Sequence, residues 1–261
     1  MTRLTVQKRA PLVSRETLLP FILLTICFAA WGVAANMTDP LVKVFSKIFT
    51  MSSLQSALVQ FAYYGAYFCL AIPAAFINKW FSYKTGVLTG LGCAAAGAFL
   101  FYPASQTMTY GFFLLALFVL AGGLSILETS ANPYVMAMGC EQSATRRLNL
   151  AQAFNPVGTN LGVFLAATLI LPNLNQASAD QRASMSAAEL KSVIGAELDA
   201  VMVPYVGMAF VLVVVWIAIA CIKTPVNEST EQRAENIQLG ASLKRLMLNR
   251  HYRFGVLAQF F

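Results

Sequence analysis

The chain has 261 residues, of which 58% are hydrophobic and only 11% are charged, and its net charge is +7. A soluble domain carries about 25% charged residues, so this composition indicates an integral membrane protein. The basic residues lie between the apolar runs and not on one basic face, which argues against a nucleic-acid partner. Five cysteines without a CxxC pair indicate neither a metal site nor a disulfide framework, and no cofactor is expected.

Uncharged stretches of the chain predict six membrane-spanning helices. Each stretch has at least the roughly 20 residues that a helix needs to cross the hydrocarbon core. The stretch after Lys84 is too long for one helix, and the segment that starts at Pro103 predicts a turn within it. The predicted spans are residues 18–39, 53–78, 84–103, 109–138, 147–171 and 200–222. The predicted fold class is therefore an all-α integral membrane bundle.

The segments outside the spans complete the predicted organisation. Residues 1–17 form a basic tail with no cleavage signal after the first apolar run, which predicts a cytoplasmic tail and not a removed signal peptide. Residues 172–198 are polar and are predicted to lie outside. Residues 223–250 predict a cytoplasmic linker that ends in an amphipathic helix, Leu239 to Leu248, on the membrane surface. Residues 251–261 begin another apolar run, so we expect the first half of a larger protein, cut just inside a seventh span.

The distribution of Lys and Arg predicts the orientation of the bundle. Placing the N-terminus inside assigns 14 of the 18 basic residues to the cytoplasmic side. That bias agrees with the positive-inside rule. We therefore expect a multi-pass protein of the inner membrane with a cytoplasmic N-terminus.

Two carboxylates interrupt the apolar spans. Asp39 lies late in the first span and Glu128 lies in the second half of the fourth. A carboxyl group in a membrane span costs several kcal/mol and by default marks a route for ions or substrate. No Lys or Arg shares the span of Glu128, so desolvation favours its protonated form. Asn36 and Asn132 lie one helical turn from Asp39 and Glu128 respectively, and each pair shares a helix face.

Further polar side chains recur at helical spacing in the second and fifth spans. They are Gln60, Tyr63, Tyr64 and Tyr67 in the second span, and Asn149, Gln152, Asn155 and Thr159 in the fifth. Lipid does not tolerate so many polar groups, so these faces are expected to converge on an internal cavity. Amides and phenols suit a neutral ligand rich in hydroxyl groups, such as a sugar, with Trp31 and the tyrosines packed on its apolar face.

Several alternatives remain open on these residues. The amides could form interhelical hydrogen bonds worth about 0.6–2 kcal/mol that only hold the bundle together. Glu128 could be a structural carboxyl bonded to Asn132 or to a backbone carbonyl, and Asp39 could serve an ordinary helix end. An intramembrane protease is disfavoured, because Asp39 is the only aspartate in a predicted span and His251 lies outside the spans. A passive channel and a non-transporting scaffold are both compatible with the pattern.

Three strings in the chain resemble a known family. They are Asn36-Met-Thr-Asp39, Leu127-Glu-Thr-Ser-Ala-Asn-Pro133 and Arg147-Leu-Asn-Leu-Ala-Gln-Ala-Phe-Asn155. They resemble the L-fucose/proton symporter family of the major facilitator superfamily. The resemblance implies a transporter with two six-helix halves that opens a central site alternately to each side and takes up L-fucose or related hexoses with protons. It also implies that this chain is the N-terminal half and that a C-terminal half is its partner. Because the site lies between the halves, we expect no transport by this half alone.

The resemblance also implies roles for individual residues. Glu128 and Asp39 correspond to functional carboxylates, and the glutamate is tied to proton exchange. Gln152 and Asn155 correspond to amides that line the cavity. Together with the pattern described above, this predicts a substrate-binding set that consists of Asn36, Gln152, Asn155, Asn132 and Tyr64.

Overall fold

The computed structural model describes residues 11–48, 51–175, 177, 181–182, 184–222 and 239–258. The chain divides into two compact units, Met1–Pro225 and Val226–Phe261. The helices of the first unit are α1 (Leu18–Ile48), α2 (Ser53–Trp80), α3 (Tyr83–Thr107), α4 (Tyr110–Ala137), α5 (Ala144–Gln152), α6 (Phe154–Leu165) and α7 (Ala187–Cys221). The second unit contains α8 (Leu239–Leu248) and α9 (Arg250–Ala258). No strand occurs in the residues described.

Six helical segments in the described part of the chain are long and apolar enough to cross a membrane. They are Leu18–Thr38, Ser53–Trp80, Tyr83–Thr107, Tyr110–Ala137, Glu141–Asn173 and Ala187–Cys221. Their number and order confirm the six predicted spans. The fifth span consists of α5 and α6 followed by a π-helical turn, Ala166–Ile170. Its interruption at Ala153 precedes Pro156, which lacks an N–H group and cannot continue a regular helical ladder.

The predicted division of the stretch after Lys84 into two helices is confirmed, but the predicted end of the first one at Pro103 is wrong. Helix α3 passes through Pro103 and ends at Thr107, and the chain reverses at Met108, whose φ of 47° is left-handed. The hydroxyls of Ser105 and Thr107 donate to carbonyls within the same turns, at 2.7 and 3.2 Å. A proline so near the end of a helix costs little stability, because few backbone hydrogen bonds of the helix follow it.

The predicted start of the sixth span at residue 200 is also wrong. Helix α7 begins at Ala187, so residues 187–198, predicted as part of a polar loop, are helical. A capping box starts this helix, because Ser186 N donates to Glu189 Oε2 at 2.9 Å and the Ser186 hydroxyl accepts from Glu189 N. The buried carboxylate of Glu197 pairs with Arg182. The charged residues that ended the apolar run therefore belong to the first turns of a long helix.

Small residues allow two close helix crossings in the first unit. Helix α3 packs on α4 at Gly90 and Gly123, where an added Cβ would overlap the backbone of the facing helix. Helix α1 packs on α6 at Gly32 and Gly158 in the same way. Glycine allows such close approach because it has no Cβ. These crossings bring the polar residues of α1 next to those of α6.

Helix α7 closes the bundle against α1 and α3 through three polar side chains. Tyr205 donates to the carbonyl of Met37 at 2.7 Å, and Trp216 Nε1 donates to the carbonyl of Leu88 at 2.9 Å. Lys84 Nζ donates to the carbonyls at the end of α7, including that of Ala220 at 3.1 Å. A cation at this position satisfies carbonyls that the helix itself leaves unpaired.

The second unit contains the amphipathic helix predicted from the sequence. Helix α8 has the predicted bounds, and Leu248 and Met247 are exposed beside Lys244 and Arg245. In α9 the guanidinium of Arg250 lies over the ring of Phe254, 5.8 Å from its centroid. Residues 223–238 of the predicted linker and residues 259–261 of the predicted seventh span lie outside the described residues.

Candidate functional site

A cavity of about 360 Å³ opens between α1 and α2. Its volume lies within the range of small-molecule sites. It combines amide, hydroxyl and aromatic side chains, which suits a ligand with both hydroxyl groups and an apolar face. Its lining residues are Trp31, Ala35, Asn36, Thr38, Gln60, Tyr63, Tyr64 and Tyr67.

Aromatic side chains on one side of this cavity form a connected group. Trp31 Nε1 of α1 donates to the hydroxyl of Tyr67 on α2 at 2.9 Å. The rings of Tyr67 and Tyr63 have centroids 5.4 Å apart, and Tyr63 meets Tyr64 edge to face at 5.3 Å. The ring of Tyr64, a predicted binding residue, is 66% exposed and is therefore free to contact a ligand.

Asn36, which lines the cavity, and Asn155, which is not among its lining residues, connect α1 with α6. Asn36 Nδ2 donates to Thr159 Oγ1 at 3.0 Å and to the carbonyl of Gly32 at 3.1 Å. Asn155 Nδ2 donates to the carbonyl of Phe28 at 3.3 Å. Both amide nitrogens therefore hold helices together, and the amide oxygens are the atoms that each residue can offer to a ligand.

Gln152 and Asn132 form a second polar pair, between α5 and α4. Gln152 Nε2 donates to Asn132 Oδ1 at 3.0 Å, and Gln152 is exposed. The pair leaves Gln152 Oε1 available as an acceptor and Asn132 Nδ2 available as a donor. A sugar hydroxyl can donate to the first and accept from the second. The polar residues predicted as one stripe on the fifth span therefore contact two different helices. Gln152 contacts α4, whereas Asn155 and Thr159 contact α1.

Glu128 is half-buried on α4, one turn before Asn132. It forms no hydrogen bond or ion pair with any residue that the structure describes. The alternative in which Glu128 is bonded to Asn132 has no support in these contacts. Asp39 follows Thr38 in the backbone of α1, but its side chain lies outside the described residues, so its role stays a prediction.

Arg147 has a structural role that was not predicted. It is fully buried, and its guanidinium donates to the carbonyls of Val135 and Met136 in the last turn of α4 and to that of Cys140 just beyond it. It also donates to the carbonyl of Leu12 in the N-terminal segment. The sequence showed only two adjacent arginines, and no local pattern distinguishes the buried one from its exposed neighbour.

The chain is similar in sequence to sugar transporters of known name. It is 42% identical to the L-fucose-proton symporter of Haemophilus influenzae over 97% of its length, and 41% identical to that of Escherichia coli over 95%. It is 37% identical to a glucose/galactose transporter of Brucella abortus over 84% of its length. It spans 60%, 57% and 50% of these three relatives respectively. No family model matches the chain.

Two solved structures resemble it over 94% of its length. One is a crystal structure of the E. coli fucose:proton symporter, with a TM-score of 0.82 and 39% identity, of which the chain covers 59%. The other is a major facilitator superfamily transporter, FucP, in the outward conformation, with a TM-score of 0.81 and 40% identity, of which it covers 60%. The chain has the fold of the N-terminal half of a major facilitator superfamily transporter. Its six apolar helices and its transporter relatives make it a multi-pass membrane protein.

Proposed function

We propose that this major facilitator half belongs to a proton-coupled symporter of L-fucose or a related hexose that works by alternating access. The supporting observation is a half-buried carboxylate, Glu128, one turn before Asn132, whose amide accepts a hydrogen bond from Gln152 of α5. In the membrane such a group by default lies on an ion or substrate route. The proposed partner is a C-terminal half that completes the site, and the chain alone is not expected to transport.

The proposed sugar contacts are the polar atoms that remain available in the site. Gln152 Oε1 accepts from a sugar hydroxyl, and Asn132 Nδ2 donates to one, while their mutual bond fixes both amides. Asn36 and Asn155 offer amide oxygens on the α1 side. The ring of Tyr64 supplies an aromatic surface for the apolar face of the sugar.

The proposed coupling ion is the proton, and no other cofactor is proposed. Among the described residues, Glu128 has neither a cation nor a hydrogen-bond donor as its partner, so its carboxyl group is available to exchange a proton. A carboxyl group that is poised in this way binds a proton when open to an acidic side and releases it to the other side. Asp39 is the second proposed carboxylate of the coupling mechanism.

The sugar contacts are tested in a chimaera that joins this chain to the part of the H. influenzae symporter that it does not cover. Gln152→Ala and Asn132→Ala should each weaken L-fucose binding by about 5- to 150-fold, because a lost ligand hydrogen bond costs about 1–3 kcal/mol. Asn160→Ala is the matched control, since within the described residues the side chain of Asn160 bonds to the carbonyl of Pro156 on its own helix. Unchanged affinity in both site variants would contradict the proposed contacts.

We further propose that the protein lies in the inner membrane with its N-terminus in the cytoplasm, because 14 of 18 basic residues then lie inside. The test uses single cysteines at the exposed positions Ala187 and Gln142, in a chain whose native cysteines are replaced by serine. An impermeant maleimide added to intact cells should label position 187 and not position 142. The opposite pattern would reverse the orientation.

A further inference from the structure

The second unit carries four cations close to the point where its two helices meet. Lys244 and Arg245 lie in the second half of α8, and Arg250 and Arg253 lie in the first turn of α9. These four residues are called the basic cluster. All four are exposed, and the sequence contains no Asp or Glu between residues 236 and 261. No carboxylate of this segment therefore neutralises the basic cluster.

Asn249 joins the two helices that carry the basic cluster. Its backbone N–H donates to the carbonyl of Leu246 at 3.0 Å, and its carbonyl accepts from Arg253 N at 3.1 Å. Its side-chain oxygen accepts from His251 N at 2.9 Å, which caps the start of α9. The backbone groups at this junction thus bond to one another, and the cationic side chains are what the junction presents to an anion.

Apolar side chains beside the basic cluster indicate the kind of partner. Leu246, Met247 and Leu248 are 42%, 56% and 74% exposed. A soluble acidic partner would neutralise the cations but would leave this apolar surface in water. A membrane surface with anionic lipids provides both a negative charge and an apolar layer beneath it. Guanidinium groups also form paired hydrogen bonds with phosphate oxygens.

The position of the basic cluster in the chain agrees with such a partner. Residues 251–261 are predicted to begin a membrane span, so the basic cluster lies where the chain is expected to enter the bilayer. Long basic side chains at this level extend towards the lipid head groups. The guanidinium of Arg250, which lies over the ring of Phe254, is held at the start of α9.

We propose that the basic cluster binds the phosphate head groups of anionic phospholipids at the surface of the membrane. This inference goes beyond the sugar site and does not depend on proton coupling. A single Lys or Arg close to an anionic membrane surface increases binding by about 5-fold. Salt screens such a contact, so the effect should decrease as ionic strength rises.

The experiment measures which lipid contacts α8 in the full chain, reconstituted in phosphatidylcholine vesicles. The five native cysteines are replaced by serine, and Met247→Cys carries a fluorophore. Spin-labelled phosphatidylglycerol or spin-labelled phosphatidylcholine is added at the same low mole fraction, and quenching gives the ratio of their association constants. At low salt this ratio should favour phosphatidylglycerol by about 5-fold or more. It should approach unity in about 1 M salt.

Replacement of all four cations of the basic cluster by glutamine should abolish the preference for phosphatidylglycerol at low salt. Arg146→Gln is the matched control, because Arg146 is an exposed cation of the first unit, and it should keep the preference. Melting temperatures check that the variants are folded. A ratio near unity in the parent, or a preference that survives the fourfold replacement, would overturn the proposal.

The same measurement in the chimaera separates lipid from protein as the partner. The preference should persist there if the basic cluster binds lipid in the longer protein. A preference that is present in the chain alone but absent from the chimaera would show that protein covers the basic cluster, and would also overturn the proposal.

Discussion

Replacement of Arg147 by methionine should strongly destabilise the first unit. Arg147 is fully buried and donates to four backbone carbonyls and to the Ser143 hydroxyl, with distances of 2.6–3.2 Å. A hydrogen bond to a charged group contributes about 1.5–3 kcal/mol, and these bonds are not additive. Because methionine leaves several buried carbonyls unpaired, we expect a loss of about 3 kcal/mol or more. For a unit of this size that corresponds to a decrease in Tm of about 6–12 °C.

Thermal unfolding of the detergent-solubilised chain measures this effect. Arg146→Met is the matched control, because Arg146 is exposed, and its Tm should stay within about 2 °C of the parent, as for most surface substitutions. Arg147→Lys should give an intermediate Tm, since an ammonium keeps the charge but cannot reach all the carbonyls that the planar guanidinium contacts. Equal Tm values for Arg146→Met and Arg147→Met would refute the assigned role.

Three further predictions follow from individual contacts. Gly158→Val should reduce the yield of folded protein because a Cβ there overlaps the backbone of α1, whereas Gly207→Ala, where the space is open, should not. Glu197→Ala should cost about 3–5 kcal/mol in a denaturant titration, because it leaves the buried guanidinium of its partner uncompensated. The hydrogen bond with Ser143 lowers the pKa of the exposed Cys140 thiol. Ser143→Ala should therefore slow maleimide labelling of Cys140 at pH 7, where less thiolate remains, and leave the rate unchanged at a pH above both pKa values.

The six spans were predictable because membrane helices exclude charge over lengths that can be counted in the sequence. Their ends were less predictable. Pro103 was interpreted as a turn because the sequence does not show that hydroxyls within the same turns contact the carbonyls around it. The first turns of α7 were missed because Glu197 looked like a solvated charge, although Arg182 compensates it in the fold. The capping box at Ser186 was the signal that could have located the start of this helix.

The candidate site was predictable in residue type but not in pairing. Helical spacing indicated which amides share a face. It did not indicate that Gln152 bonds to α4 while Asn155 bonds to α1, because the packing of separate helices decides that. The aromatic residues were expected near the cavity, but the bond between Trp31 and Tyr67 depends on the register of α1 against α2. Arg146 and Arg147 look alike in the sequence, and only the fold buries one of them.

The central claim is that Glu128 couples proton flow to sugar movement, and Glu128→Gln tests it most directly. The variant keeps the shape of the side chain but cannot titrate. The measurement is L-fucose accumulation in proteoliposomes that contain the chimaera under an imposed pH gradient, with exchange of labelled sugar at equal pH as the control. We expect Glu128→Gln to lose accumulation and to retain exchange. Accumulation at the parent level would contradict the claim and make Asp39 the leading candidate.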